Sequence, residues 1–237
     1  MSEPRPEHFE WKVLGEKTPG RPSPEKKLRL GVLVSGNGSN LQAIIDAIES
    51  QELPGAEIAL VLSNNAGAFG LQRALKHKVP AIYLPWRKFP VGAFLHEMTP
   101  NEVRLTGLLH LFAVDLIVLA GWMRIFSTPF MEQFANRVIN IHPALLPPTG
   151  TGEIYTFSNG EQIPVFRGIN AIKMALDAGV HITGCTVHYV TPQVDAGPVI
   201  CQQAVPIKPG DTEESLRERV HVVEHRLLVE AIRQLST

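Results

Sequence analysis

The chain has 237 residues, of which 44% are hydrophobic and 19% charged, and its formal net charge is −1 at pH 7. This composition suits one domain with one ordinary core, and it shows no bias toward nucleic acid or membrane. Two cysteines without metal-binding spacing exclude a disulfide framework and favour the cytoplasm.

Residues 1–27 are rich in proline and charge. They lack the apolar centre of a secretory signal and the acid-free, Arg- and Ser-rich character of a transit peptide. No apolar run approaches the roughly 20 residues that span a bilayer. We therefore expect a flexible N-terminal extension over 1–27, followed by a single domain over 28–237 that has no membrane segment.

Short apolar runs rich in branched residues alternate with helical patterns along this domain. Strands are predicted at 30–34, 58–62, 81–84, 116–119, 138–141, 185–190 and 199–204. Helices are predicted at 41–49, 69–77, 101–113 and 129–135. The alternation favours a single-domain α/β fold with a doubly wound, mostly parallel, Rossmann-like sheet, because strands covered on both faces are apolar throughout.

Capping signals mark two helix starts. Thr128 before Pro129 is a predicted N-cap and first-turn pair. A C-terminal helix is predicted to begin with Asp211 as its cap and Glu214 reaching back as in a capping box. At about 100° per residue, Glu224 falls at the edge of the apolar stripe of this helix.

The segment 148–164 does not fit the alternating pattern. Its Asn159-Gly160 pair predicts a small hairpin. We interpret the segment as an insertion in the domain.

The turn after the first strand reads Ser-Gly-Asn-Gly-Ser-Asn at 35–40. Its glycines let backbone N–H groups approach a ligand, and the helix start that follows favours an anion. A dinucleotide is disfavoured because Leu41 stands where a third glycine is needed, and the second strand ends in Ser-Asn-Asn rather than in an acid. A single phosphate fits the turn; the alternative is a tight turn with a good cap.

A second group of residues suggests acyl transfer. Asn140 and His142 are two apart on a strand that Pro143 ends, so their side chains share one face. An amide donor can stabilise an oxyanion, and an imidazole can move protons. Asp195 lies in a later loop, and its carboxylate is expected to raise the pKa of His142. Taken alone, an Asn-x-His pair is more often structural, and Asp195 fits a turn residue.

Four motifs together resemble the folate-dependent phosphoribosylglycinamide formyltransferase family. They are the turn at 35–41, Leu-Ala-Gly-Trp-Met-Arg at 119–124, Asn-Ile-His-Pro-Ala-Leu-Leu-Pro at 140–147, and the stretch from Val187 through Asp195 to Val199. The resemblance covers roughly 28–235. Methionyl-tRNA formyltransferases share the Asn-x-His and Leu-Leu-Pro elements, but the turn and Thr-Val-His-Tyr at 186–189 favour the glycinamide branch.

The resemblance implies a formyltransferase fold and a set of site residues. The implied catalytic residues are Asn140, His142 and Asp195; the ribonucleotide ligands are Gly38, Ser39, Asn40 and Glu224; the folate ligands are Met123, Arg124, Ile125, Phe126 and Asn140. It implies 10-formyltetrahydrofolate as co-substrate, small-molecule partners, a monomer or homodimer, and a role in purine biosynthesis. No metal is expected, because the nine histidines show no ligand spacing.

The implied mechanism is direct formyl transfer, with the oxyanion held by Asn140 and protonated His142, and with Asp195 sustaining the imidazolium. A formyltetrahydrofolate hydrolase and a noncatalytic nucleotide-binding domain remain as alternatives. The chain departs from the family at 89–94, where a folate-side arginine is not assignable. It departs again at 148–164, which fits either a tolerated surface insertion or a regulatory or lid element.

Overall fold

A computed structural model of the chain describes residues 26–89 and 96–236. Its strands are β1 (Leu28–Val34), β2 (Ala56–Ser63), β3 (Ala81–Tyr83), β4 (Leu116–Leu119), β5 (Val138–His142), β6 (Ile154–Thr156), β7 (Gln162–Pro164), β8 (Ile182–Tyr189) and β9 (Val199–Pro206). Its helices are α1 (Ser39–Glu49), α2 (Phe69–Lys76), α3 (Pro100–Leu111), α4 (Thr128–Gln133), α5 (Ala171–Asp177) and α6 (Glu213–Leu235).

The main sheet has the strand order β3-β2-β1-β4-β5-β8-β9. The pairs among β1 to β5 are parallel, whereas β8 and β9 are antiparallel to their neighbours. The chain builds outward from β1 to β3 and then returns to the other side of β1 with β4. This confirms the predicted doubly wound, mostly parallel α/β fold, and it places a cleft beyond the carboxyl ends of β1 and β4.

Both faces of the sheet are covered. Leu30 and Val32 of β1 join a core cluster that includes residues of α1 and α6. Leu33 of the same strand joins a second cluster with residues of α3 and α4. A strand that packs on both faces gains apolar burial at every position, which explains why the β1 run contains almost no polar residue.

The connection from β5 to β8 contains structure that the sequence patterns missed in part. The predicted hairpin at 148–164 forms as β6 and β7, with Gly160 at a positive φ of 85°. Helix α5 was not predicted, because seven residues give too few turns for a clear 3.6-residue period.

Two predicted caps are wrong by one position. The side chain of Ser127, not Thr128, caps α4 by accepting from the Phe130 N–H at 3.4 Å. Thr212, not Asp211, caps α6 in a capping box completed by Ser215. Asp211 instead accepts two hydrogen bonds from Arg219 at 2.7 and 2.8 Å, so its carboxylate is already occupied.

Several expectations fall on parts of the chain that the structure leaves out. The predicted N-terminal extension lies outside the described residues except for Lys26 and Lys27, and most of the 89–94 segment lies outside them too. Among the helices of 26–89 and 96–236, none is long and apolar enough to cross a membrane.

The buried carboxylate of Glu102 joins α3 to the start of α4. Glu102 is 1% exposed. Its oxygens accept from the Thr99 N–H at 2.7 Å, from the Ser127 N–H at 2.5 Å and from the Ser127 hydroxyl at 2.9 Å. Because Ser127 directly follows the 123–126 segment, Glu102 fixes the end of a stretch that the sequence assigns to folate binding.

We expect Glu102→Gln to lower the free energy of unfolding by about 1–3 kcal/mol, since one acceptor oxygen becomes a donor facing other donors in a buried position. Urea denaturation would measure the change. Glu132→Gln, an exposed position on α4, serves as the matched control. Equal stability of the two variants would contradict this role of Glu102.

Candidate active site

One cavity of about 670 Å³ opens beyond the carboxyl ends of β1, β4 and β5. It lies at the switch point of the sheet and has the size of a small-molecule site. All the residues that the sequence assigned to a site line it: Gly38, Ser39, Asn40, Met123, Arg124, Ile125, Phe126, Asn140, His142, Asp195 and Glu224. The fold therefore brings together segments that are far apart in the sequence.

The glycine turn is held by close backbone packing. Gly38 precedes α1 with a φ of 74°, and a Cβ there would lie 2.7 Å from the Cα of Gly70 on α2. Arg73 of α2 donates to the carbonyl and side-chain oxygens of Asn37, each at 3.0 Å. The turn is thus held by its neighbours, and the first N–H groups of α1, which belong to residues that line the cavity, have no intrahelical acceptors.

Asn40 and Glu224 meet across the cavity wall. The Asn40 Nδ2 donates to Glu224 Oε2 at 3.5 Å, and the Asn40 Oδ1 is buried without a hydrogen-bond partner among the described residues. Burial raises the pKa of Glu224 to about 7. A single long hydrogen bond from Asn40 and the more distant charge of Arg217 lower this pKa, but they offset only part of the effect of burial.

Two basic side chains of α6 also line the cavity, and sequence reasoning missed them. Arg217 and His221 lie seven and three residues before Glu224, on the same side of the helix. His221 Nε2 lies 3.8 Å from Glu224 Oε2. The i, i+4, i+7 spacing of these three residues was the available signal.

His142 is almost completely buried, and both of its ring nitrogens face acceptors of the chain. Nε2 donates to the Phe166 carbonyl at 2.7 Å, so this nitrogen carries a proton. Nδ1 lies 3.3 Å from Asp195 Oδ2. His142 and Asp195 therefore form one pair that can share a second proton.

The expected increase in the pKa of His142 is wrong as a net effect, although the Asp195 charge acts in the expected direction. Burial lowers the pKa of His142 below its ordinary value and outweighs the opposing effects of the Asp195 charge and the Phe166 carbonyl. The sequence indicated that the Asp195 carboxylate is near His142, but it did not indicate how deeply the imidazole is buried. His142 is therefore neutral at rest and able to accept a proton.

Asp195 is an ionised carboxylate with donors on both oxygens. Burial alone would raise its pKa, but contacts with His188 and His142 and the Gly168 N–H together lower the pKa to about 2. The Gly168 N–H donates to Oδ2 at 2.8 Å. Asp195 also adopts a φ of 49°, a left-handed conformation uncommon for a residue with a side chain.

His188 is a further member of this cluster that the sequence did not identify as a site residue. Its Nδ1 donates to the Tyr189 carbonyl at 2.9 Å, and its Nε2 lies 3.3 Å from Asn140 Nδ2 and 3.6 Å from Asp195 Oδ1. β8 pairs His188 directly with Asn140. A polar residue inside an apolar strand was the signal for it.

The Asn140 amide is held weakly. Its Nδ2 contacts His188 at 3.3 Å and donates to Asp195 Oδ1 at 3.4 Å. The distance to Asp195 exceeds the usual 2.9 to 3.0 Å of N–H···O bonds, and the contact with His188 joins two nitrogens at 3.3 Å. A stronger acceptor in the cavity would therefore capture one of these hydrogens at little cost.

The segment after β4 forms another wall of the cavity. Met123 and Ile125 are exposed, with 59% and 73% of their surfaces accessible. Phe126 is buried and stacks on Phe130 at a centroid distance of 4.3 Å. The Met123 N–H donates to Ser35 Oγ at 3.0 Å, which ties this wall to the glycine turn.

Among the residues that the structure describes, no group of three or more His, Cys, Asp or Glu side chains is placed to hold a metal ion. The ionisable residues of the cavity instead form two clusters, around Asp195 and around Glu224.

The chain belongs to the formyl transferase family, whose model matches residues 28–157 and 159–232. A phosphoribosylglycinamide formyltransferase of Escherichia coli is 37% identical over 200 residues, covering 84% of this chain and 83% of the relative. The solved glycinamide ribonucleotide transformylase 1 of Symbiobacterium toebii is 41% identical, with a TM-score of 0.73 and coverage of 89% of this chain and 88% of that one. The resemblance inferred from the motifs is confirmed.

The chain also matches part of a much longer protein. The trifunctional purine biosynthetic protein adenosine-3 of Drosophila pseudoobscura pseudoobscura is 43% identical over 214 residues, which cover 90% of this chain but only 14% of that relative.

The raised pKa of Glu224 makes stability depend on pH. The folded state holds this proton up to about pH 7, whereas the ordinary pKa of a glutamate is 4.5, so this contribution to stability is full below pH 4.5 and is lost as the pH rises through 7. We expect Glu224→Gln, which stays neutral, to exceed the wild type in free energy of unfolding by about 3 kcal/mol near pH 8.5.

Urea denaturation of both proteins at about pH 4.5 and pH 8.5 would measure this difference, which should vanish at the lower pH. Glu218→Gln, at an exposed position of the same helix, controls for the loss of surface charge. A difference that does not change with pH would contradict the assignment.

Proposed function

We propose that this protein transfers the formyl group of 10-formyltetrahydrofolate to the amine of N1-(5-phosphoribosyl)glycinamide, a step of purine biosynthesis. The observation that carries the proposal is the position of Asn140, His142 and Asp195, which line the same cavity as an anion-binding turn. The proposal is further supported by relatives of similar length named for this activity.

The ribonucleotide is proposed to bind at the α1 side of the cavity. The N–H groups of Gly38, Ser39 and Asn40 would hold its phosphate at the helix start, where the dipole favours negative charge. Arg217 adds a cationic group to this side, and His221 adds an imidazole whose pKa burial lowers below its ordinary value. Glu224 and the unpaired Asn40 Oδ1 are acceptors for hydroxyl or amine hydrogens of the substrate.

The folate is proposed to bind along Met123, Arg124, Ile125 and Phe126. The exposed apolar side chains of this wall would cover the pterin, and backbone groups would bond its polar edge. Asn140, between the two substrates, is proposed to contact the formyl oxygen.

In the proposed mechanism, the substrate amine attacks the formyl carbon, and the carbonyl oxygen becomes an oxyanion that accepts from Asn140 Nδ2. The His142–Asp195 pair takes up the proton released by the amine, and His142 becomes the protonated imidazole that favours the oxyanion. Cleavage of the bond to N10 of the folate returns a proton to that nitrogen, so no net proton is gained or lost. No metal is required in this scheme.

We also place the enzyme in the reducing cytoplasm, which is supported by the two free cysteines, Cys185 and Cys201. Small molecules are its expected partners.

We expect Asp195→Asn to lower kcat by about 100-fold to 1000-fold, the usual effect of losing an oxyanion-stabilising group. The Gly168 N–H and His142 Nδ1 both face Oδ2, so an amide oxygen at this position keeps both partners and an amide NH2 loses both, and in either case the negative charge that sustains the imidazolium is gone. The KM values should change little, which steady-state kinetics would measure. Asp177→Asn, at a surface ion pair of α5, is the matched control. Near wild-type turnover would remove Asp195 from the mechanism.

The activity itself is tested by following tetrahydrofolate formation from 10-formyltetrahydrofolate, with and without the glycinamide ribonucleotide. We expect formation only when the ribonucleotide is present. Formation without it would identify a hydrolase, and no formation by the folded protein would leave the noncatalytic alternative.

A further inference from the structure

The loop that carries Asp195 is contacted from outside by the chain segment 148–152, which has no part in the proposed reaction. The Val199 N–H donates to the Pro148 carbonyl at 3.1 Å. Gly150, at a φ of 79°, packs against the loop backbone so closely that a Cβ there would lie 2.5 Å from the Ala196 carbonyl oxygen and closer still to that of Gly197. The two residues that follow Asp195 therefore rest directly on Gly150.

Arg167 connects this segment to a residue that binds Asp195. Its Nη2 donates to the Gly150 carbonyl at 2.8 Å and to the Gly152 carbonyl at 2.9 Å. The next residue, Gly168, donates its N–H to Asp195 Oδ2. Arg167 thus fixes the position of Gly150 relative to the donor that holds the carboxylate.

Asp195 needs such support. Its left-handed φ of 49° is strained for a residue with a side chain and persists only where the surroundings enforce it. The loop backbone after Asp195 is blocked by Gly150 on one side, and Gly197 packs on the Tyr189 carbonyl on the other. These contacts limit where the carboxylate can lie.

We propose that residues 148–152 and Arg167 form a brace that positions Asp195 against His142. The hairpin β6–β7 anchors this brace, because Tyr155 contacts Gln202 of β9 at 3.5 Å and Glu161 contacts His181 next to β8 at 3.1 Å. The brace makes no contact with substrate in this scheme, so it acts through Asp195. The inference rests on the proposed function.

The test compares Gly150→Ala with Gly160→Ala. Both glycines have a positive φ, 79° and 85°, so both variants carry the same backbone strain, but a Cβ at Gly160 meets nothing within 4 Å. We expect Gly150→Ala to lower kcat by about 100-fold with little change in either KM, as for a misplaced catalytic group. Gly160→Ala should keep the wild-type kcat, and its melting temperature should fall below that of the wild type only by the effect of the backbone strain.

A second pair of variants tests Arg167. Arg167→Met should lower kcat about tenfold by removing the hydrogen bonds to Gly150 and Gly152. Arg167→Lys, which keeps one donor group and the charge, should restore most of it. Failure of the lysine variant to differ from the methionine variant would overturn the role of these bonds.

Amide hydrogen exchange separates the brace from the proposed reaction. We expect faster exchange over 192–198 in Gly150→Ala than in Gly160→Ala. Equal exchange and equal kcat in these two variants overturn the brace. If the wild type transfers no formyl group, the proposed function fails, and the exchange comparison still decides whether the segment holds the loop.

Discussion

A buried carboxylate must find donors for its lone pairs, and the Asp195 carboxylate imposes this requirement on the end of the sheet that lines the cavity. Its donors are the Gly168 N–H before α5 and the Asn140 amide on β5, and the imidazoles of His142 on β5 and His188 on β8 lie beside it. Only a sheet that pairs β5 with β8 in the observed register brings them together. The antiparallel direction of β8 is therefore a condition of the site.

The parallel half of the fold could be predicted because its signals are local. Runs such as 30–34 and 116–119 are apolar at every position, and each is buried on both faces as β1 and β4. The direction of β8 depends on where a long connection leads, which no local pattern encodes, and α5 is too short to show a helical period. The cap of α6 was misplaced because Asp211 and Thr212 are both good caps, and the ion pair with Arg219 decides between them.

The site could be predicted where polar residues interrupt apolar runs at strand ends, as Asn140 and His142 do. His188 is equally buried, but it lies within a strand, where a single histidine resembles a core residue. The contacts of Gly150 are made by backbone atoms alone, so they leave no pattern of side chains. The pKa of His142 depends on burial, which is a property of the folded packing.

Two carboxylates line the same cavity, and their environments shift their pKa values in opposite directions. Asp195 has several donors, and its pKa falls to about 2, whereas Glu224 has one donor at 3.5 Å and its pKa rises to about 7. The Asp195 carboxylate stays charged, so it would stabilise the imidazolium that forms when His142 takes up a proton. The second lacks the partners that its charge needs, so a ligand that donates hydrogen bonds to Glu224 would lower its pKa and stabilise the folded protein. The cleft thus holds one carboxylate whose donors are in place and one whose donors are incomplete, which is the division that the proposed mechanism needs between proton transfer and substrate binding.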